Sequence, residues 1–188
     1  MYILRIIVGI TGASGAIYGL RFIEVLKEAG CEIHAVISEH GRQVLEYECG
    51  SAAKAVINTV DFLHDVNNVS ACIASGSFKS DAMVVVPCSM RTVAGIANGI
   101  ADNLLLRAAD VTLKEGRTLV LVPRETPFSA IHLGNMLKLA QLGVRILPAS
   151  PGFYHRPKDL QALVDMMVGK ICDSIGMEHN LFERWTGQ

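Results

Sequence analysis

The sequence has no apolar run approaching the roughly 18 residues that a helical membrane span requires. It also has no excess charge of either sign: 17 Lys and Arg stand against 18 Asp and Glu, a formal net charge of −1, so no global field draws it to nucleic acid or an anionic membrane. The five cysteines are scattered, with no Cys-x-x-Cys pair and no nearby histidine at metal-ligand spacing. That pattern excludes a disulfide scaffold or zinc ribbon and predicts reduced core thiols, with no metal. A basic leader with a small-residue cleavage site is also missing, because the apolar stretch at 4–10 reads as a strand. These absences predict a soluble cytoplasmic protein whose partners are neither nucleic acid nor membrane. With no linker, repeat or low-complexity stretch, the 188 residues, 51% apolar and 19% charged, read as a single domain over 1–188 with a self-supporting core.

Against those absences stands a clear rhythm. Short β-branched runs at 4–10, 32–37, 82–86, 118–122 and 144–147 alternate with helical periodicity at 16–29, 40–47, 92–99, 102–114, 129–142 and 157–175. Strands that are apolar throughout are buried on both faces, which predicts an α/β fold: a three-layer Rossmann-like (flavodoxin-like) parallel sheet with helices on both faces. Residues 50–80 are less patterned, with 55–60 a strand candidate and 66–74 a short helix ending at Ser75-Gly76-Ser77.

In an open parallel sheet, ligands lie beyond the carboxyl ends of the strands, and here those ends are specialised. The first strand runs into Gly9-Ile10-Thr11-Gly12-Ala13-Ser14-Gly15 and then a helix, which aims backbone N–H groups and a positive dipole end at one spot, a seat for a nucleotide-like anion. Small residues also serve any strand that turns sharply into a close-packed helix, and Gly12, Gly15 and Gly19 match Gly-x-Gly-x-x-Gly only loosely. The other ends carry Ser38-Glu39-His40, Pro87-Cys88-Ser89-Met90-Arg91-Thr92, Pro123-Arg124-Glu125-Thr126-Pro127 and the segment from Pro148 to Tyr154. Each admits a plainer role: Ser38 and Ser89 as helix caps, Arg124-Glu125 as a solvated pair. Arg107 and Lys114 share nearly one helical face, or Arg107 simply pairs with Asp110. So much polar chemistry at one sheet edge favours a site.

Gly12-Ala13-Ser14-Gly15-Ala16-Ile17-Tyr18-Gly19, Pro87-Cys88-Ser89, Arg107-Ala108-Ala109-Asp110-Val111, Leu113-Lys114-Glu115, Pro123-Arg124-Glu125-Thr126-Pro127 and Pro151-Gly152-Phe153-Tyr154-His155-Arg156-Pro157, in that order, closely resemble the UbiX/Pad1 family of flavin prenyltransferases. The resemblance runs from Ile6 to about Trp185. It implies metal-independent transfer of a dimethylallyl group from dimethylallyl phosphate to reduced FMN, giving the prenylated FMN that UbiD-type aromatic acid decarboxylases use. It also implies a homo-oligomer, a dodecamer, with active sites at subunit contacts. Carried onto matching positions, it puts Gly12, Ala13, Ser14, Ser38, Ser89, Met90, Thr92 and Arg124 around FMN. Tyr154 and Lys170 then hold the substrate phosphate, and Lys114, Arg107 and Glu48 complete the anion and flavin surroundings. Glu125 with Ser14 becomes the proton-handling pair, so the implied catalytic set is Ser14, Glu48, Arg107, Lys114, Glu125 and Tyr154. Lys170 stands where several relatives carry Arg, which keeps the charge without the bidentate fork and implies a softer hold on phosphate.

These residue types suit the chemistry. An allylic phosphate leaves once its charge is neutralised, so the protein needs fixed donors on the phosphate and a water-poor pocket in which the flavin captures the cation. Bonds at flavin N5 and C6 then require proton movement, for which Glu125 is the acid/base. Direct flavin-dependent decarboxylation is the nearest alternative, but it uses a catalytic histidine where this chain reads Ala71-Cys72-Ile73-Ala74-Ser75-Gly76-Ser77-Phe78, with only His64 nearby. An NAD(P) reductase needs Tyr154 and Lys158 on one continuous helix, which Pro157 opposes. A flavin-storage subunit needs less ionisable machinery than Arg107, Lys114, Glu125, Tyr154 and Lys170 supply. His132, His155 and Trp185 either line subunit contacts or finish the fold.

Overall fold

The computed structural model describes residues 3–187; Met1, Tyr2 and Gln188, which the expected domain 1–188 includes, lie outside the described residues. Strands β1 (Arg5–Ile10), β2 (Glu32–Ile37), β3 (Phe62–His64), β4 (Ala82–Cys88), β5 (Thr118–Pro123) and β6 (Arg145–Ile146) form one parallel sheet in the order β3-β2-β1-β4-β5-β6. This is the Rossmann order, and it changes direction between β1 and β4.

Alternation along the buried strands feeds two cores. Ile6, Val8 and Ile10 face α1 (Ala16–Glu28), α2 (Glu39–Ile57) and α6 (Leu160–Ile175), while Ile7, Met83 and Val85 face α3 (Met90–Ala97), α4 (Leu104–Lys114) and α5 (Ala130–Gln141). The expected three-layer α/β arrangement is therefore present. Each fully buried Ile, Met or Val contributes about 1.5–3 kcal/mol of apolar transfer. Gly19 sets how closely α1 lies on the sheet, since a Cβ there would stand 2.5 Å from the Val86 carbonyl oxygen.

Two expected elements differ. The candidate strand at 55–60 is instead the end of α2, which runs to Ile57 through a kink at Gly50. Ala53 and Ile57, four apart, bury one helical stripe in the first core, and the strand begins only at Phe62. The helix expected at 66–74 shrinks to a one-turn 3-10 helix at Cys72–Ala74. Ahead of it, Asp65 accepts from the Asn67 N–H at 3.0 Å and Asn68 from the Ser70 N–H at 3.2 Å, local turns that take the donors a helix needs.

Candidate functional site

Thr11 ties the two central strands together where their order reverses. Its backbone N–H and its hydroxyl both donate to the Pro87 carbonyl, at 3.2 and 2.9 Å, and the same hydroxyl accepts from the Ser89 N–H at 2.7 Å. The loop after β4 is thereby fixed against the loop after β1. Burial pushes the Cys88 thiol at the end of β4 well up, so it stays protonated.

Beside this clasp lies a cavity of about 490 Å³, bordered by Thr11, Gly12, Ser38, His40, Ser89, Arg91, Thr92 and Asn103. Its size falls within the roughly 300–1,000 Å³ of small-molecule sites. Three helices start at its wall, α2, α3 and α4, the last capped by Asn103 Oδ1, which accepts from the Leu106 N–H at 3.0 Å. Ser38 Oγ accepts from the Gly41 N–H at 3.1 Å, and Ser89 Oγ from the Thr92 N–H at 3.3 Å. Both serines are therefore caps, as the plainer reading had it, and both line the cavity as well. The starts of α2, α3 and α4 bring three positive dipole ends to one hollow, which suits a phosphate.

The start of α1, expected to hold that anion, is already taken. Glu48 Oε2 accepts from the Gly15 and Ala16 N–H groups, each at 2.9 Å, so a side chain from α2 fills the seat. Gly15 leads into this helix at φ 104°, a left-handed conformation that glycine adopts without strain. Burial opposes the charge on Glu48, but the Ser14 hydroxyl, the two N–H groups and nearby Arg124 outweigh it and hold the carboxyl below its usual range. The Ser14 hydroxyl is thus bonded to Glu48. Glu125 Oε1 accepts from the Thr126 N–H at 3.0 Å.

The other residues that the resemblance puts around FMN continue the same edge. Gly12 borders both the 490 Å³ cavity and a second opening of about 440 Å³ that also holds Ser14, Tyr47, Glu48 and Arg124. Arg124 in turn borders a third opening with Glu125 and Ser150, and its Nε donates to the Ser14 carbonyl at 3.2 Å. Ala13 is buried and offers backbone only, its N–H donating to the Thr11 carbonyl; Met90 is half-buried against the second core. Thr11 and Arg91 also border the cavity, although the sequence reading names them only within the strand-end segments and gives them no part in the site. Arg91 stands two residues after Ser89, whereas the Thr11 clasp closes over 76 residues and leaves no local signal.

A family model described as Flavoprotein matches residues 2–174. The flavin prenyltransferase UbiX of Halalkalibacterium halodurans is 51% identical over 189 residues, covering 95% of this chain and 91% of that protein. The chain belongs to the UbiX/Pad1 family of flavin prenyltransferases. Among solved structures, AnUbiX (PadA1) in complex with FMN and dimethylallyl pyrophosphate superposes with a TM-score of 0.94 at 42% identity, covering 100% of both chains. A dodecameric FMN-dependent UbiX-like decarboxylase from Escherichia coli O157:H7 superposes with a TM-score of 0.95 at 46% identity, covering 98% of this chain and 100% of its own.

The cations and tyrosine that the UbiX/Pad1 resemblance assigns to the second substrate lie elsewhere. Arg107 Nη1 meets Asp110 at 2.9 Å, as the plainer reading had it, and its Nε donates to the Ala74 carbonyl at 3.2 Å. Lys114 pairs with Glu115 at 2.6 Å. Tyr154 borders a separate opening of about 290 Å³ with His155, Arg184 and Trp185, and its ring meets the edge of Trp185. Lys170 lies 3.6 Å from Asp173, which also binds Arg184 at 2.7 Å, and Arg184 borders the opening that holds Tyr154. His132 completes a capping box with Ser129 at the start of α5.

The cysteine expectation holds for three of five. Cys31, Cys88 and Cys172 are buried, but Cys49 is half-buried and Cys72 exposed. Nor does Cys72 lack histidines, because the fold brings His34 and His64 to it from two strands. None of the helices among the described residues is long and apolar enough to cross a membrane.

Proposed function

We propose that this UbiX/Pad1 protein transfers the dimethylallyl group of dimethylallyl phosphate to reduced FMN, giving prenylated FMN for a UbiD-type aromatic acid decarboxylase. The observation that carries this reading is the unbroken edge from the 490 Å³ cavity, through Gly12, to the opening that holds Ser14, Glu48 and Arg124. An elongated ligand with a phosphate at one end and a flat ring at the other matches that edge. We also take residues 1–188 as one FMN-binding domain, and its unpaired thiols suit the cytoplasm.

Bound reduced FMN supplies nucleophilic N5 and C6. In this proposal the starts of α2 and α3, with the Ser38, Ser89 and Thr92 hydroxyls, hold the flavin phosphate. Gly12, Ala13, Ser14, Met90 and Arg124 border the rest of the flavin, and Glu48 fixes the Ser14 hydroxyl. Tyr154 and Lys170, which lie apart from this edge within one chain, neutralise the leaving phosphate where copies meet, and the Glu125 carboxylate takes up the proton released at C6. Arg107 and Lys114 sit beside the 3-10 helix, away from this edge, so a second copy in a homo-oligomer brings them to it. A dodecamer, as in the Escherichia coli relative, provides such copies.

Anaerobic incubation of the purified chain with reduced FMN and dimethylallyl phosphate tests the reading by mass spectrometry. A mass gain of one prenyl unit on FMN is the expected result, and Glu125→Gln should retain FMN while stalling maturation of the adduct. FMN recovered at unchanged mass, or carbon dioxide released from an aromatic acid by this chain alone, contradicts the proposal.

A further inference from the structure

A second constellation lies at the β3 edge of the sheet. His34 on β2, His64 on β3 and Cys72 on the 3-10 helix each offer one donor atom, and these atoms all lie within 4.8 Å of one another. Their surroundings orient them. Glu32 Oε1 lies 2.8 Å from His34 Nε2, and Arg5 grips the same carboxylate at 2.6 and 3.1 Å. A carboxylate that accepts from Nε2–H fixes the imidazole tautomer and leaves Nδ1 as an acceptor, the outer-shell arrangement of metal-binding histidines. That Nδ1 faces His64 Nε2 at 2.9 Å. Phe62 stacks on the His34 ring at 4.5 Å and Phe78 meets it edge-on at 4.9 Å, which holds the ring from two sides.

We propose that His34, His64 and Cys72 form a binding site for a thiophilic d10 cation, zinc(II), with Glu32 as the positioning residue and a water molecule in the fourth place. Two imidazoles and a thiolate are a zinc donor set, and bonds of about 2.0 Å to nitrogen and 2.3 Å to sulfur put tetrahedral ligands roughly 3.3–3.6 Å apart. The histidine pair opens slightly to reach that spacing. Cys72, exposed on a one-turn helix, swings inward. Binding releases the Cys72 thiol proton to solvent and moves the His64 proton from Nε2 to Nδ1. The ion clasps the 3-10 helix and the edge strand to β2, independently of prenyl transfer.

Cobalt(II) titration of the full chain reads this site directly. One cobalt per chain should bind with a thiolate-to-metal charge-transfer absorption, and excess zinc should displace it. Cys72→Ser should abolish the absorption, His64→Gln should weaken binding at least a hundredfold, and Glu32→Gln should weaken it about 10–100-fold with the absorption intact. Zinc should raise the melting temperature of the wild type but not that of Cys72→Ser. No charge-transfer absorption in the wild type, or the same absorption in Cys72→Ser, overturns the proposal. If Cys72→Ser does not fold, unchanged binding by His64→Gln overturns it equally.

Discussion

Helices α1 and α3 both start where a strand at the sheet's change of direction ends, yet the α1 end is closed by a carboxylate from another helix and the α3 end is not. The first N–H groups of α1 are held by Glu48, whereas α3 is capped by Ser89 beside the 490 Å³ hollow. Both carry the positive end of a helix dipole. What separates them is the group delivered to each from elsewhere in the chain. A glycine-rich strand–turn–helix therefore marks a place where an anion is stabilised, and the anion can be the protein's own carboxylate.

The strongest way to break this comparison is Thr11→Val, which keeps the shape but strands the Ser89 N–H and releases the loop before α3. It should lower stability by about 2–3 kcal/mol in urea unfolding and weaken FMN binding at least tenfold. Stability and affinity close to wild type would mean that the clasp does not hold the α3 end. Gly15→Ala acts on the α1 side, forcing a side chain into φ 104°, and should cost about 1–2 kcal/mol with a smaller effect on FMN.

Glu48→Gln sharpens the comparison further. Removing the charge at the α1 start should cost about 0.5–1 kcal/mol at neutral pH. Because the folded carboxyl titrates below its usual range, its stabilisation is full above the ordinary glutamate pKa and disappears as pH falls through the folded one. The stability gap between wild type and Glu48→Gln should therefore close in acid, and a gap independent of pH would remove Glu48 as the charged cap. The smallest effect is chemical: alkylation of the native chain should label Cys72 first and leave Cys88 and Cys172 unlabelled, since burial raises both thiols, Cys172 to about 12. Early labelling of Cys88 would contradict a sealed clasp.

Much of the fold was legible because its signals are local. Continuous apolar runs marked β1, β2, β4 and β5, and Ser38, Ser89 and Asn103 or Ser129 stand where helices begin. The segment from Gly50 to Ser80 was not legible, because Asx turns and a glycine kink interrupt its periodicity. Gly12, Ser14, Ser38, Ser89, Thr92 and Arg124, which border the openings, sit in short motifs at strand ends and could be read from them. Their partners could not: Glu48 meets Gly15 over 33 residues and His34 meets His64 over 30. Arg107 and Lys114 illustrate a further limit, since their motif is local and the partners the fold gives them are Asp110, the Ala74 carbonyl and Glu115.

The most direct test is a crystal structure of this chain with FMN. The phosphate should lie against the first turns of α2 and α3, near Ser38, Ser89 and Thr92, with Glu48 still bonded to the Gly15 and Ala16 N–H groups. A phosphate bound to Gly15 and Ala16, with Glu48 displaced, would contradict the account.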